Sequence, residues 1–146
     1  MLFSQVVENV LRGEQASGLV SEGDVMIHVE EIAPLSILQN HGLTLLQVQS
    51  LCRARGLRAT LFSVDDGHTE ETLKRECIRS SGRGTNACII ANFYMGSKES
   101  NGIGSVFEMG HFSPIAAYDR ETNSCLVMDV WIHSPSAYWV PLPTLW

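Results

Sequence analysis

Apolar positions recur at helical spacing in the first part of the chain and give way to short, dense runs from about residue 87 onward. Phe3, Val6, Val7, Val10 and Leu11 share one helical face, and Gly13 can end that helix. Residues 14–24 are polar with Gly and Ser interspersed, which predicts a loop, and Val25–Ile32 alternates too imperfectly to assign. Pro34 suits a first helical position and Gly42 the residue just past a short helix. Thr44 opens the best-defined helix. Gln47 stands three residues on, as a capping box requires, and Leu45, Val48, Leu51 and Cys52 form the apolar stripe. Gly56 closes that helix, and Arg53 and Arg55 complement its negative end. A strand is expected at Leu57–Ser63. Thr69 then caps another helix, with Glu70 and Glu71 in its first turn and Lys74, Arg75 and Arg79 later.

Beyond that point the periods are those of strands. Ala87–Tyr94 is apolar enough for a central strand, and Met95–Phe107 is a Gly- and Ser-rich loop. Gly110–Tyr118 and Ser124–Trp131 flank Asp119–Asn123, whose Asp and Asn predict a hairpin turn. Pro114 points to an edge position or a bulge in the first of these strands, and Tyr138–Pro141 is a last short extended piece. Helices followed by an antiparallel sheet make an α+β fold.

With 146 residues the chain is expected to be one domain able to bury its own core. A net charge of -6 without a basic stripe argues against nucleic acid as a partner. The apolar runs fall well short of the ~20 residues of a membrane span, and the N-terminus lacks the apolar block of a secretory signal, so no membrane partner and a cytoplasmic location are expected. Cys52, Cys77, Cys88 and Cys125 form no CxxC pair, and scattered single cysteines behave as small buried apolar residues. His28, His41, His68 and His133 lack ligand spacing and are expected on the surface.

The candidate chemistry lies in the strands. His111 follows Gly110, where the missing side chain would admit a substrate or another backbone. Asp129 sits near the far end of the returning strand, so a hairpin would bring it to His111, and an odd-length turn would put both on one face. A carboxylate bonded to imidazole fixes the tautomer and stabilises the imidazolium, which supplies two members of a nucleophilic triad. From spacing alone the signal is weak, and a structural histidine near a strand-end aspartate is the more common arrangement.

The residues around the pair carry more. Gly110-His111-Phe112-Ser113-Pro114-Ile115, Leu126-Val127-Met128-Asp129-Val130, Tyr138-Trp139-Val140-Pro141 and Leu145-Trp146 resemble the signature of phytochelatin synthases. Ala33-Pro34-Leu35, Gly42-Leu43-Thr44-Leu45 and Asn92 ahead of Phe93 add to the likeness, which covers roughly residues 32–146. The resemblance implies a papain-like fold, here incomplete, and places the whole of residues 1–146 in a partial catalytic domain. It also implies transfer of γ-glutamylcysteine between glutathione molecules to make phytochelatins. His111 would be the general base and acid and Asp129 its orienter, with Asn92 and Gly110 lining the acyl site. No tightly bound cofactor is implied. A heavy-metal ion such as cadmium or zinc would arrive as a glutathione thiolate.

The match also has gaps. The family nucleophile lies in a Cys-Gly helix start, where the helix N-terminus lowers the thiol pKa, and no Cys-Gly occurs here. Where the family carries basic residues after the aspartate, this chain has Ile132, Ser134 and Pro135 around His133. Isoleucine cannot bind a carboxylate as arginine does. A truncated transpeptidase domain is therefore expected, inactive as an isolated chain. The alternatives are a non-catalytic relative that binds a γ-glutamyl thiol, a metal thiolate or a partner protein, and a papain-like peptidase relative.

Overall fold

The structure, a computed structural model, describes residues 34, 36, 41–82, 86–96, 110–130 and 137–146. The helix expected at residues 3–11, the loop at 14–24, the ambiguous stretch at 25–32 and most of the loop at 95–107 lie outside the described residues. The chain divides into two compact units, Met1–Ser63 and Val64–Trp146.

In the first unit, Ser36 and His41 are helical, and Gly42 takes φ 69°, the left-handed value that favours glycine past a helix end. Helix α1, Leu45–Ala54, begins as its sequence dictates. Thr44 Oγ1 accepts from Gln47 N at 3.3 Å, and Gln47 Oε1 accepts from Thr44 N at 2.8 Å. Val48, Leu51 and Cys52 are its buried stripe. It ends in a Schellman turn. Gly56 (φ 76°) donates to Arg53 O and Leu57 donates to Cys52 O, each at 3.0 Å. The strand expected at Leu57–Ser63 is not one: no residue in that stretch pairs in a ladder. Side chains of α1 take its backbone instead. Gln49 Nε2 and Arg53 Nη2 each donate to Ala59 O at 3.2 Å, so the segment is extended and pinned to the helix.

The second unit opens with a 3₁₀ turn, Val64–Asp66, and helix α2, Glu70–Ser80. The sheet follows, with β1 Ile89–Tyr94, β2 Gly110–Asp119, β3 Ser124–Val127 and β4 Tyr138–Pro141, then the short helix α3, Leu142–Leu145. The four strands are antiparallel in the order β1-β2-β3-β4. This is an α+β arrangement. Leu73 and Cys77 of α2 pack with Phe93, Ile115, Cys125, Val127, Val140, Leu142 and Leu145 in the core cluster.

Three strand expectations need correction. β1, expected to be central, lies at the edge of the four described strands. Pro114 occupies an inner strand, so the edge alternative fails, while the bulge alternative is met in the same strand, between Ile115 and Ala117, where Ala116 is the extra residue. Its carbonyl still serves the ladder, accepting from Met128 N at 2.9 Å. The strand expected to run from Ser124 to Trp131 ends at Val127, residues 128–130 are irregular, and Trp131 is outside the described residues.

The hairpin turn is set by local polar bonds. Asp119 accepts from Glu121 N at 3.1 Å and from Thr122 Oγ1 at 2.6 Å, and Tyr118 Oη donates to Asn123 Oδ1 at 2.7 Å. The Thr122 hydroxyl first, then the Glu121 N–H, hold the Asp119 carboxyl below its usual pKa. Asn123 takes φ 50°, a left-handed value that asparagine tolerates.

Candidate functional site

The closing pair of the hairpin is Asp119 with Ser124, so four residues turn the chain, not the odd number expected. The register runs through Tyr118–Cys125 and Ala117–Leu126, then shifts to Ile115–Val127. The shift decides the site. With a regular ladder, the four-residue turn would place Asp129 on the face of Pro114, opposite His111, because side chains alternate. The extra residue at Ala116 restores matching parity. His111, Ser113 and Ile115 then share the buried face with Cys125 and Val127, and Asp129 continues that face.

The outcome is a direct contact. His111 Nε2 lies 2.8 Å from Asp129 Oδ1, with the side chains 8% and 0% exposed. A buried carboxylate at that distance orients the ring and fixes its tautomer. Phe93, paired with His111 across β1 and β2, sets its ring edge-on to the imidazole at 5.7 Å and 76° and shields it on that side. The carboxylate thus engages Nε2 of the ring.

Two polar side chains not singled out from the sequence belong to the same neighbourhood. Ser113 Oγ is fully buried and makes no hydrogen bond among the described residues. The ladder continued from Met128 and Pro114 sets Ser113 across from Asp129. Tyr138 pairs with Val127, which places it on the buried face one step from Asp129. Its hydroxyl is buried without a hydrogen bond of good geometry. Burial first, then the Asp129 charge and a weak hydrogen bond to it, raise the phenol pKa above its ordinary value of 10.0. Ser113 was legible from alternation, being two residues from His111. Tyr138 was not, because only the β3–β4 pairing brings it there.

Asn92 and Gly110 are placed differently. Asn92 is exposed and pairs with Phe112, so it points to the face opposite His111. Gly110 shares that face, and a Cβ added there would meet Asn92 Oδ1 at 3.8 Å, an ordinary contact. The structure therefore brings His111 and Asp129 together, and sets Asn92 beside Gly110 on the other side of the sheet. Ile132, His133, Ser134 and Pro135 are outside the described residues, as is His28. His41 is exposed and His68 half-buried.

Of the cysteines, Cys52, Cys77 and Cys125 are buried as expected, whereas Cys88 is exposed. It precedes Ile89, which pairs with Ile115 at the other end of β1 from Phe93, so it stands roughly 17 Å along the strand from Phe93. Cys125 is likewise at the end of β3 remote from Asp129, with its sulfur against Cys77. Among the described residues no three His, Cys, Asp or Glu side chains converge to hold a metal ion, and no helix is long and apolar enough to cross a membrane.

The family model described as phytochelatin synthase matches residues 21–146, running across both units. Glutathione gamma-glutamylcysteinyltransferase 1 of Arabidopsis thaliana is 27% identical over 115 residues, 77% of this chain and 22% of that protein. Glutathione gamma-glutamylcysteinyltransferase 3 of Lotus japonicus is 28% identical over the same shares of each chain. Glutathione gamma-glutamylcysteinyltransferase 1 of Triticum aestivum is 28% identical over 77% of this chain and 21% of its own. The chain spans about a fifth of the length of these curated relatives.

Proposed function

The chain belongs to the phytochelatin synthase family, and from that premise we propose that it carries the histidine and aspartate of an acyl-transfer site moving γ-glutamylcysteine between glutathione molecules. The observation that carries this reading is the 2.8 Å contact between the buried His111 and Asp129 inside the matched region.

In the proposed reaction a thiol delivered to His111 gives up its proton and attacks the Cys–Gly carbonyl of glutathione. His111, now an imidazolium steadied by Asp129, returns the proton to the leaving glycine amine. A γ-glutamylcysteinyl thioester remains. A second glutathione then enters, His111 takes a proton from its amine, and the acyl group passes to it with release of the thiol. Tyr138 stands near Asp129 with a phenol whose pKa burial raises, so it stays neutral beside the carboxylate. We assign the thiol to a Cys-Gly helix start of the family type, a pair that residues 1–146 do not contain. Heavy-metal ions such as cadmium or zinc belong to the substrate side, as soft-metal thiolates of glutathione. A papain-like catalytic domain, to which residues 1–146 contribute one part, would hold these pieces. It would act in the cytoplasm, where thiols stay reduced. Asn92 and Gly110 share the face opposite His111 and Asp129 and are given no part in the proton path.

The test is glycine release and dipeptide transfer from glutathione by the chain extended at its N-terminus with a Cys-Gly helix start. His111→Ala in that protein is expected to lower the rate by about 10²–10⁴-fold. Equal rates would remove His111 from the mechanism. Ile132 and the absence of a Cys-Gly pair favour a second reading, a relative that binds γ-glutamyl thiols without turnover. Glutathione binding by calorimetry, with no glycine released by the extended protein, would select it.

A further inference from the structure

We propose that Cys77 and Cys125 form an oxidative cross-linking site, at which hydroperoxide chemistry joins helix α2 to strand β3 through a disulfide within one chain. The two sulfurs lie 3.7 Å apart, both residues are 0% exposed, and they come from elements 48 residues apart in sequence. The pair sits inside the apolar cluster of the second unit, between Leu73 on the helix side and Val127 and Val140 on the sheet side. It lies at the end of β3 away from Asp129, so the inference is independent of the acyl-transfer reading.

Two features distinguish this pair from thiols that merely fill space. The first is mutual aim. A disulfide needs sulfurs about 2.05 Å apart, so closure asks for a shift of about 1.7 Å, within the reach of side-chain rotation. The second is asymmetry. Burial alone raises a thiol's pKa, yet that of Cys77 is lowered by its hydrogen bond with Cys125, a contact in which either sulfur can donate. Cys125 is raised in turn, first by that same hydrogen bond and then by burial. In the proposed step Cys77 is the attacking sulfur and Cys125 the resolving one.

The step balances with one peroxide. The Cys77 thiolate attacks a peroxide oxygen and the O–O bond breaks. The departing hydroxide takes a proton to become water, leaving Cys77 as the sulfenic acid. The Cys125 sulfur then attacks the Cys77 sulfur, and its proton leaves with the sulfenic oxygen as a second water. Two thiols have lost two electrons and two protons. Hydrogen peroxide is small enough to enter a core that opens locally, so the reaction is slower than at an exposed thiol, and thiol reductants reverse it.

The test treats the full 146-residue chain with hydrogen peroxide, denatures it, alkylates the remaining thiols and maps the peptides by mass spectrometry. The expected result is a cross-linked peptide pair containing Cys77 and Cys125 within one chain, Cys52 alkylated, and a raised melting temperature that dithiothreitol reverses. In Cys125→Ala the cross-link is lost and Cys77 accumulates as a dimedone-reactive sulfenic acid. The peptide map of the unmodified chain decides the matter even where that variant folds poorly. Alkylation of all four cysteines, a disulfide joining Cys77 or Cys125 to Cys52 or Cys88, or a cross-link only between two chains would each overturn the proposal.

Discussion

At one end of the sheet's buried face, Cys125, Val127, Val140 and Leu142 close against Cys77 of α2 with little exposed surface. At the other end stand His111 and Ser113 of β2, the Asp129 side chain just past β3, all buried, and half-buried Tyr138 of β4, every one of them polar. The apolar end gains from every side chain it removes from water. The polar end holds a carboxylate, an imidazole and a serine hydroxyl without a hydrogen-bond partner among the described residues, each of which costs free energy to desolvate. One face of one sheet thus divides its work. The apolar end keeps the strands in register, and the register holds a polar pair that would not assemble by itself. Polar groups retained against their desolvation cost mark the end where chemistry is expected.

The division can be broken most sharply with two deletions that each shorten the His111–Asp129 separation by one residue. Removing Met128 moves the aspartate to the opposite face, while removing Ala116 leaves a regular ladder with Ile115 still opposite Val127. The Met128 deletion is expected to abolish the imidazole–carboxylate contact, seen in His111 ring NMR shifts. In the N-terminally extended protein it should cut transfer by about 10²–10⁴-fold. The Ala116 deletion should keep both. Equal damage from the two would show that parity is not what positions the pair.

At the apolar end Leu142→Ala is expected to lower unfolding stability by about 2–5 kcal/mol, measured by urea or thermal melts, because Leu142 is 0% exposed. The effect on transfer, measured well below the melting transition, should be minor. The smallest effect is expected at Tyr138→Phe, about 0.5–1.5 kcal/mol. Its sign with pH is fixed by the raised phenol pKa. The folded state keeps the proton after the unfolded chain loses it, so the contribution is full below the ordinary value of 10.0 and declines as pH rises above it. The phenylalanine variant should lack that alkaline decline, and urea melts across the alkaline range will show whether it does.

Much of this was legible in the residues. Thr44 and Gln47 mark the start of α1 and Gly56 its end, because caps and left-handed turns are short-range chemistry. The apolar runs ahead of Tyr94 and around the Asp119–Asn123 turn are strands where expected. The Leu57–Ser63 segment failed as a strand because strand propensity is only realised with a pairing partner, and here side chains of Gln49 and Arg53 take the Ala59 carbonyl. Cys88 failed as a buried cysteine because it stands just before β1, outside the alternation that buries Phe93.

By itself, then, the sequence determined helices α1 and α2, the hairpin and the two residue types that make a histidine–carboxylate pair, since each follows from neighbours a few positions away. Only the tertiary structure decided that His111 and Asp129 share a face, that Tyr138 joins them and that Cys77 meets Cys125. Those facts depend on strand register, and a single extra residue in β2 inverts every side chain beyond it.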